Sequence, residues 1–232
     1  MVAKVLVQQI SGLYRGSQLA TFDTVSSGIG QKCRSKKLVV NAVTVDGDSQ
    51  ADPNHHGGSD RVLHHFPREH YGQYRRLGMI SGFKDAPAMG ENISTVGLDE
   101  SRVYIGDIIQ IGTVLLQVTQ PRSPCFKLNL QFDHNEFAST MQSSGRCGWF
   151  YRVLQPGTIE ETDHIKLVER QSDISVAEAM RIYFLAQFDA EQYQRLARCT
   201  GLAASWVNSL QRRLSQNVIE DWQMRLYGRA QD

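Results

Sequence analysis

The chain has 232 residues, 41% hydrophobic and 21% charged, and its 25 Lys+Arg against 24 Asp+Glu leave a formal net charge of +1. That length buries a full core as one large domain or two small ones. The charge balance excludes a global pull towards nucleic acid or an anionic membrane, so any electropositive function is local. No apolar run approaches the ~18 residues that cross a bilayer, and Cys33, Cys125, Cys147 and Cys199 make no C-x-x-C pair. Free thiols in a cytoplasmic protein are predicted, and zinc is disfavoured.

The opening "MVAKVLVQQISGLYRG" interleaves Lys and Gln with apolar residues and predicts a first strand rather than a signal segment. "KKLVVNAVTVDGD" sets β-branched residues in alternation and stops at the turn Asp46-Gly47-Asp48. "PREHYGQYRRLG" predicts a helix with Pro67 in its first turn and Gly78 at its stop. "GDIIQIGTVLLQVTQ" predicts strands over 108–111 and 114–119 joined at Gly112-Thr113, and "IKLVERQSD" another over 165–168. Short strands with glycine turns over ~170 residues predict an all-β barrel.

From about residue 171 the period changes to that of helices. "SVAEAMRIYFLA" opens with a capping-box pattern, Ser175 to Glu178, and "DAEQYQRLARCTG" begins at the N-cap Asp189 and ends at Gly201. "SWVNSLQRRLS" and "VIEDWQMRLYG" carry apolar residues three to four apart. The division is a barrel over 1–170 and a small helical bundle over 171–232. With seven arginines, no lysine and seven carboxylates, the tail is neutral, so it reads as a stabilising or partner-docking appendage rather than a nucleic-acid helix.

Chemistry is concentrated in "LLQVTQPRSPCFKL". Pro121 and Pro124 stiffen the loop that presents Cys125. Arg122 and Lys127 lie within three residues of the cysteine, and positive neighbours favour the thiolate, which is both nucleophile and metal ligand. The competing reading is a small buried hydrophobe at a strand end. "NHHGGSDRVLHHF" holds two His pairs without metal spacing; His64 and His65 read as ordinary barrel residues, and His56 as a site residue beside Gly57-Gly58, whose amides suit an anion. "MGENIST" adds Glu91 and Asn92, and "GRCGWFYRV" adds Arg152, either a cation over a pocket or a solvated charge.

Taken in order, "DGD" (46–48), "HGGSDR" (56–61), "GEN" (90–92), "IGD" (105–107), "QPRSPCFKL" (120–128) and "GWFYRV" (148–153) resemble the MOSC domain, a β-barrel module named after the molybdenum cofactor sulfurase C-terminus. The helical tail resembles the three-helix domain of the YiiM-like branch, which is associated with reduction of N-hydroxylated purines. Two departures stand out: Ser59 replaces the family's usual proline, and the early pattern survives only as "SSGIGQKCRSKKL", where Ser27 and Ile29 fit and the lysine falls on Gln31 or Lys32.

The resemblance implies a molybdenum cofactor (molybdopterin), with Cys125 as catalytic residue and thiolate ligand to the metal. A soft sulfur donor on a stiff loop suits that bond. It implies cofactor contacts from the cations Lys32, Arg61, Arg122, Lys127 and Arg152, from Ser27, His56 and Asn92, and from the amides of Gly57 and Gly58. The activity implied is a molybdenum-dependent reductase of N-hydroxylated compounds such as 6-hydroxylaminopurine. The chain shows no flavin or iron–sulfur motif, so a separate flavoprotein or iron–sulfur carrier is the expected electron donor, and neither a nucleic-acid polymer nor a membrane is an expected partner. The alternative is a carrier of the cofactor, or of a persulfide on Cys125, without turnover of its own. A weaker third is a metal-independent hydrolase pairing Cys125 with His56.

Overall fold

A computed structural model describes residues 4–7, 9–22, 25–49, 58–184 and 186–228. Strands fill the first part: β1 (Lys4–Val7), β2 (Gly12–Arg15), β3 (Ala20–Phe22), β4 (Val25–Ser27), β5 (Cys33–Arg34), β6 (Lys37–Val40), β7 (Leu63–Pro67), β8 (Ile93–Thr95), β9 (Ile108–Ile111), β10 (Val114–Pro121), β11 (Trp149–Gln155), β12 (Gly157–Glu160) and β13 (Ile165–Glu169). Helices α1 (Glu69–Arg76), α2 (Lys127–Phe132) and α3 (Phe137–Ser144) interrupt them. The chain then runs through α4 (Val176–Tyr183), α5 (Ala190–Ala197), α6 (Ala204–Gln216) and α7 (Gln223–Tyr227).

Nine strands form one mixed sheet in the order β1-β13-β9-β10-β11-β7-β8-β2-β5, antiparallel except for the parallel pair β7–β8. β12 with β6 and β3 with β4 make two small ribbons. The mainly-β class with a helical C-terminal domain holds, but among the described residues β1 and β5 end the sheet without pairing to each other, so the barrel expected from the sequence is corrected to an open sheet. Alternation reports that one strand face is buried, not what buries it. Here the tail does much of that work, because Val176, Ala179, Leu196, Trp206 and Leu210 share one apolar core with Ile105, Val118 and Tyr151. Register shifts at Leu115/Leu116 and Val118/Gln120 bend β10 around that core.

Local signals explain most element ends. β9 and β10 meet at Gly112-Thr113, where Gly112 has φ 57°. Leu77 ends α1, and Gly78 at φ 72° takes the left-handed turn that favours glycine. Ser175 Oγ accepts from Glu178 N (3.1 Å) and Asp189 Oδ1 from Gln192 N (3.1 Å). The reciprocal half of the capping box is replaced, since Glu178 Oε1 accepts instead from Arg195 Nη1 at 2.6 Å. A second core, with Phe132 stacked on Phe137 (4.2 Å) beside Tyr74 and Met141, packs α1, α2 and α3 together.

Candidate functional site

A cavity of about 820 Å³ opens between the sheet and the tail helices. Cys125 lines it from the loop that joins β10 to α2 and is 7% exposed. The loop is held from the sheet side: Arg122 N donates to Gly148 O (3.1 Å) and Arg122 Nη1 to Met89 O (2.8 Å). The other cysteines differ. Cys33 is exposed and Cys199 half-buried, while Cys147 is sealed in the second core, where burial pushes its thiol well up.

The sequence flanks Cys125 with Arg122 and Lys127. In the fold, Lys127 turns its ammonium to Ser26 O (3.1 Å) while still lining the cavity. The guanidinium groups in the field of Cys125 are those of Arg122 and Arg225, the latter from α7. Burial lowers both, to about 10 for Arg225, and both stay charged at neutral pH.

Behind this pair lies a buried polar network. Asp48 Oδ2 accepts from Lys32 Nζ (2.8 Å) and from Asn92 Nδ2 (2.8 Å), and Asp48 Oδ1 accepts from Gly16 N (3.0 Å). Asn92 also donates to Tyr14 O (3.2 Å) and accepts from His64 N (3.1 Å), so its carboxamide braces the wall. Burial lowers the Lys32 ammonium while Asp48 opposes the shift. Burial pushes the Glu91 carboxyl up to about 7, against the pull of its hydrogen bonds, Tyr71 among them, and of the Arg122 and Lys32 charges. Tyr71 donates to Glu91 Oε1 (2.8 Å), whereas Oε2 has no hydrogen-bond partner. Burial, with the charges of Arg122 and Lys32, holds the His64 imidazole well below 6.5, hence neutral at pH 7.

Ser27, Lys32, Arg61, Asn92, Arg122, Cys125 and Lys127 are thus brought to one cavity. Between the two early alternatives, Lys32 reaches it and Gln31 does not. Gly58 stands away from the lining, with φ 102° and open space around its α-carbon. Arg152 is also outside the lining, further along β11 and in register with Gln117. Its side chain is held by Asp60 Oδ1 (2.8 Å) and Gln117 Oε1 (3.2 Å). His56 and Gly57 lie outside the described residues, and with them the cysteine–histidine pairing.

Sequence reasoning missed half the site. His64, read as an ordinary barrel residue, is on the cavity wall, as is Gln120, whose buried Oε1 has no partner. The tail, read as an appendage, builds the opposite wall. Tyr183 stacks on Trp206 (3.9 Å), and Phe184 stands edge-on to Trp222 (5.2 Å, 79°). Arg213 lies 4.0 Å over the Tyr183 ring and donates to Tyr183 O (2.6 Å) and Glu220 Oε2 (2.7 Å). Although burial pushes the Glu220 carboxyl up, the Arg213 hydrogen bonds hold it at about 2. Arg61 Nη2 donates to Ser205 Oγ (3.3 Å) across the gap. The available signal was the aromatic content of the tail, Tyr183, Phe184, Trp206 and Trp222 among it.

Chemically, the arrangement offers a thiol and several cations on one side and a wall of flat rings on the other. It suits a polyanionic, partly aromatic ligand with a soft metal.

Two family models and several relatives match the chain. The MOSC domain model matches residues 52–166, and the YiiM-like, 3-alpha helix domain model matches residues 174–217. Protein YiiM of Escherichia coli (strain K12) is 42% identical over 218 residues, 94% of this chain and 97% of that protein. A reductase of Gibberella moniliformis is 35% identical over 168 residues, 72% of this chain and 29% of that protein. The crystal structure of YiiM from Escherichia coli matches with a TM-score of 0.80 at 37% identity, over 95% of this chain and 99% of that one. With this coverage and identity, the chain belongs to the MOSC-domain proteins of the YiiM type.

Proposed function

We propose that the chain is a molybdenum cofactor-dependent reductase of N-hydroxylated compounds, N-hydroxylated purines such as 6-hydroxylaminopurine among them, with Cys125 as thiolate ligand to the metal. The observation that carries the reading is the thiol of Cys125 on the wall of a cavity of about 820 Å³, in the field of two guanidinium groups, one buried and one half-buried. The MOSC kinship and the relative named a reductase support it.

The residues present fit such a cofactor. Cys125 offers the soft donor, and among the described residues no cluster of three or more His, Cys, Asp or Glu competes as a metal site. Lys32, Arg122 and Lys127 offer charge to a phosphate and a pterin, and the unpartnered Oε1 of Gln120 offers an acceptor to a ring N–H. The volume is at the large end of the ~300–1,000 Å³ of small-molecule sites, enough for a cofactor and a substrate together.

The cofactor, when bound, supplies the two-electron exchange by which R–NHOH, two electrons and two protons become R–NH₂ and water. The chain's own residues orient and shield. Tyr183 offers a ring edge, and Trp206 and Trp222 offer apolar rings, to a planar base and keep water from it. Arg61 adds a guanidinium beside Ser205 at the same wall. Glu91, with a carboxyl near neutrality, holds a proton behind Met89 and Gly90. Electrons come from a separate flavoprotein or iron–sulfur carrier.

The test is elemental analysis of protein made in a cofactor-competent host, combined with turnover of 6-hydroxylaminopurine by a chemical reductant. Near-stoichiometric molybdenum that vanishes in Cys125→Ala, together with turnover, is the expected result. Turnover that persists after complete removal of molybdenum refutes the reading. Labile cofactor without turnover points to a carrier.

A further inference from the structure

Residues 218–228 lie beyond both matched stretches, which end at 166 and 217, and the reading above uses only the Trp222 ring and the Arg225 charge among them. Their contacts converge on the loop that carries Cys125. Phe126 N donates to Arg225 O (2.8 Å), and the Arg225 guanidinium donates to Pro124 O and to Gln142 Oε1. Asn129 Nδ2, on the helix that follows the cysteine, donates to Leu226 O (2.9 Å), while its Oδ1 accepts from Ala138 N (2.8 Å). At the end of α7, Gly228 (φ 80°) sits so close to the Phe126 ring that a β-carbon there would stand 2.7 Å from it.

Both chain neighbours of Cys125 are therefore tied to α7, and the cysteine between them is left to face the cavity. The helix is itself anchored from behind, because Glu220 accepts from Arg213 Nε (2.7 Å) and from Ser209 Oγ (3.3 Å) on α6. Arg225 also lies 4.9 Å over the Phe184 ring, which fixes its side chain between the aromatic wall and the loop. The sheet holds Arg122, three residues earlier, but among the described residues no strand supplies a hydrogen bond to the Phe126 amide.

We propose that α7 is a latch for the thiol, and that Arg225 is a positioning residue that fixes the direction in which Cys125 presents its sulfur. This rests on the proposed function only in taking Cys125 as the working thiol. Losing Arg225 frees the Pro124 carbonyl and weakens the docking that holds the Phe126 amide, so the loop samples open states even while the sheet stays folded.

The experiment uses full-length protein in four forms: wild type, Arg225→Lys, Arg225→Gln and, as a control on the exposed side of α4, Arg181→Gln. Hydrogen exchange is followed in cofactor-free protein, and molybdenum content and the Mo(V) electron paramagnetic resonance spectrum in protein from a cofactor-competent host. In Arg225→Gln, exchange over 122–130 is expected to rise about tenfold or more, as for loss of a hydrogen bond to a charged group. Exchange over β9 and β10 should be unchanged, and molybdenum should fall several-fold. Arg225→Lys keeps the charge without the two-armed geometry; it should be intermediate in exchange and should shift the Mo(V) spectrum. Arg181→Gln should match wild type throughout.

Unchanged exchange over 122–130 in Arg225→Gln overturns the latch, whether or not molybdenum falls. Faster exchange with full molybdenum and an unaltered spectrum overturns the link to the thiol. If wild type holds no molybdenum, the cofactor reading fails alone, since the exchange arm still decides whether α7 holds the loop. Should Arg225→Gln fail to fold, Arg225→Lys carries the same comparison.

Discussion

The two walls of the cavity are made by different physics. The wall on the sheet side is polar and cross-linked: Asp48 gathers Lys32, Asn92 and Gly16, and Asn92 reaches on to His64 and Tyr14. The helix-built wall is a set of rings, Tyr183, Phe184, Trp206 and Trp222, pinned by the Arg213–Glu220 pair. Much of the charge therefore sits on loops at the edge of the sheet, Lys32, Asp48 and Arg122 among them, while Arg225 adds a guanidinium from α7. Shape is placed on aromatic side chains at the end of α4, on α6 and at the start of α7. On the proposed function, the first wall would set cofactor affinity and the second substrate fit.

The largest effect belongs to Cys125→Ala, on the loop that both walls grip. Molybdenum retention should drop by more than about a hundredfold, above the cost of losing a group that only hydrogen-bonds a metal ligand, with little change in melting temperature. Trp206→Ala comes next and should act in the opposite sense. It empties a core position 3% exposed, so unfolding should cost about 3–5 kcal/mol less, read from denaturant midpoints. If Trp206→Ala strips the metal at unchanged stability, the division of labour between the walls is wrong.

Glu91→Gln tests the pH behaviour of the sheet side. The Glu91 carboxyl is raised from 4.5 to about 7 in the folded state. The unfolded chain thus loses its proton first as pH rises. The stability tied to the neutral acid is complete below pH ~4.5 and is lost progressively up to pH ~7, a difference of up to about 3 kcal/mol. Urea midpoints at pH 5 and pH 8 should differ less in Glu91→Gln than in wild type, and the variant should be the more stable at pH 8. The smallest effect is that of Arg152→Gln. Its partly exposed pair with Asp60 is worth about 0.2–1 kcal/mol, and molybdenum content should not change, because the side chain is outside the cavity.

Much of the fold was legible because its signals are local. The hairpin at Gly112-Thr113 and the caps at Ser175 and Asp189 each depend on a few neighbouring residues, and each is present. The open sheet was not legible, since alternation in β9 and β10 is the same whether a strand or a helix covers the buried face. The site divides in the same way. Cys125 was conspicuous for its prolines and flanking charges, but its second guanidinium comes from Arg225, 100 residues on, and Lys127 turns away to Ser26 O across 101 positions. Arg152 misled because a cation next to an aromatic run looks the same in sequence whether it faces a pocket or a neighbouring strand.

The Asp60 carboxylate has one oxygen on Arg152 of β11 and the other on Ala204 N at the start of α6 (3.0 Å), while the next residue, Arg61, reaches Ser205. A swap of helical tails between relatives should therefore carry residues 60–61 together with 204–205 as one cassette. Exchanging the tail without its matching joint would tilt Trp206, and a hybrid with both parental halves intact could still reject the substrates of either.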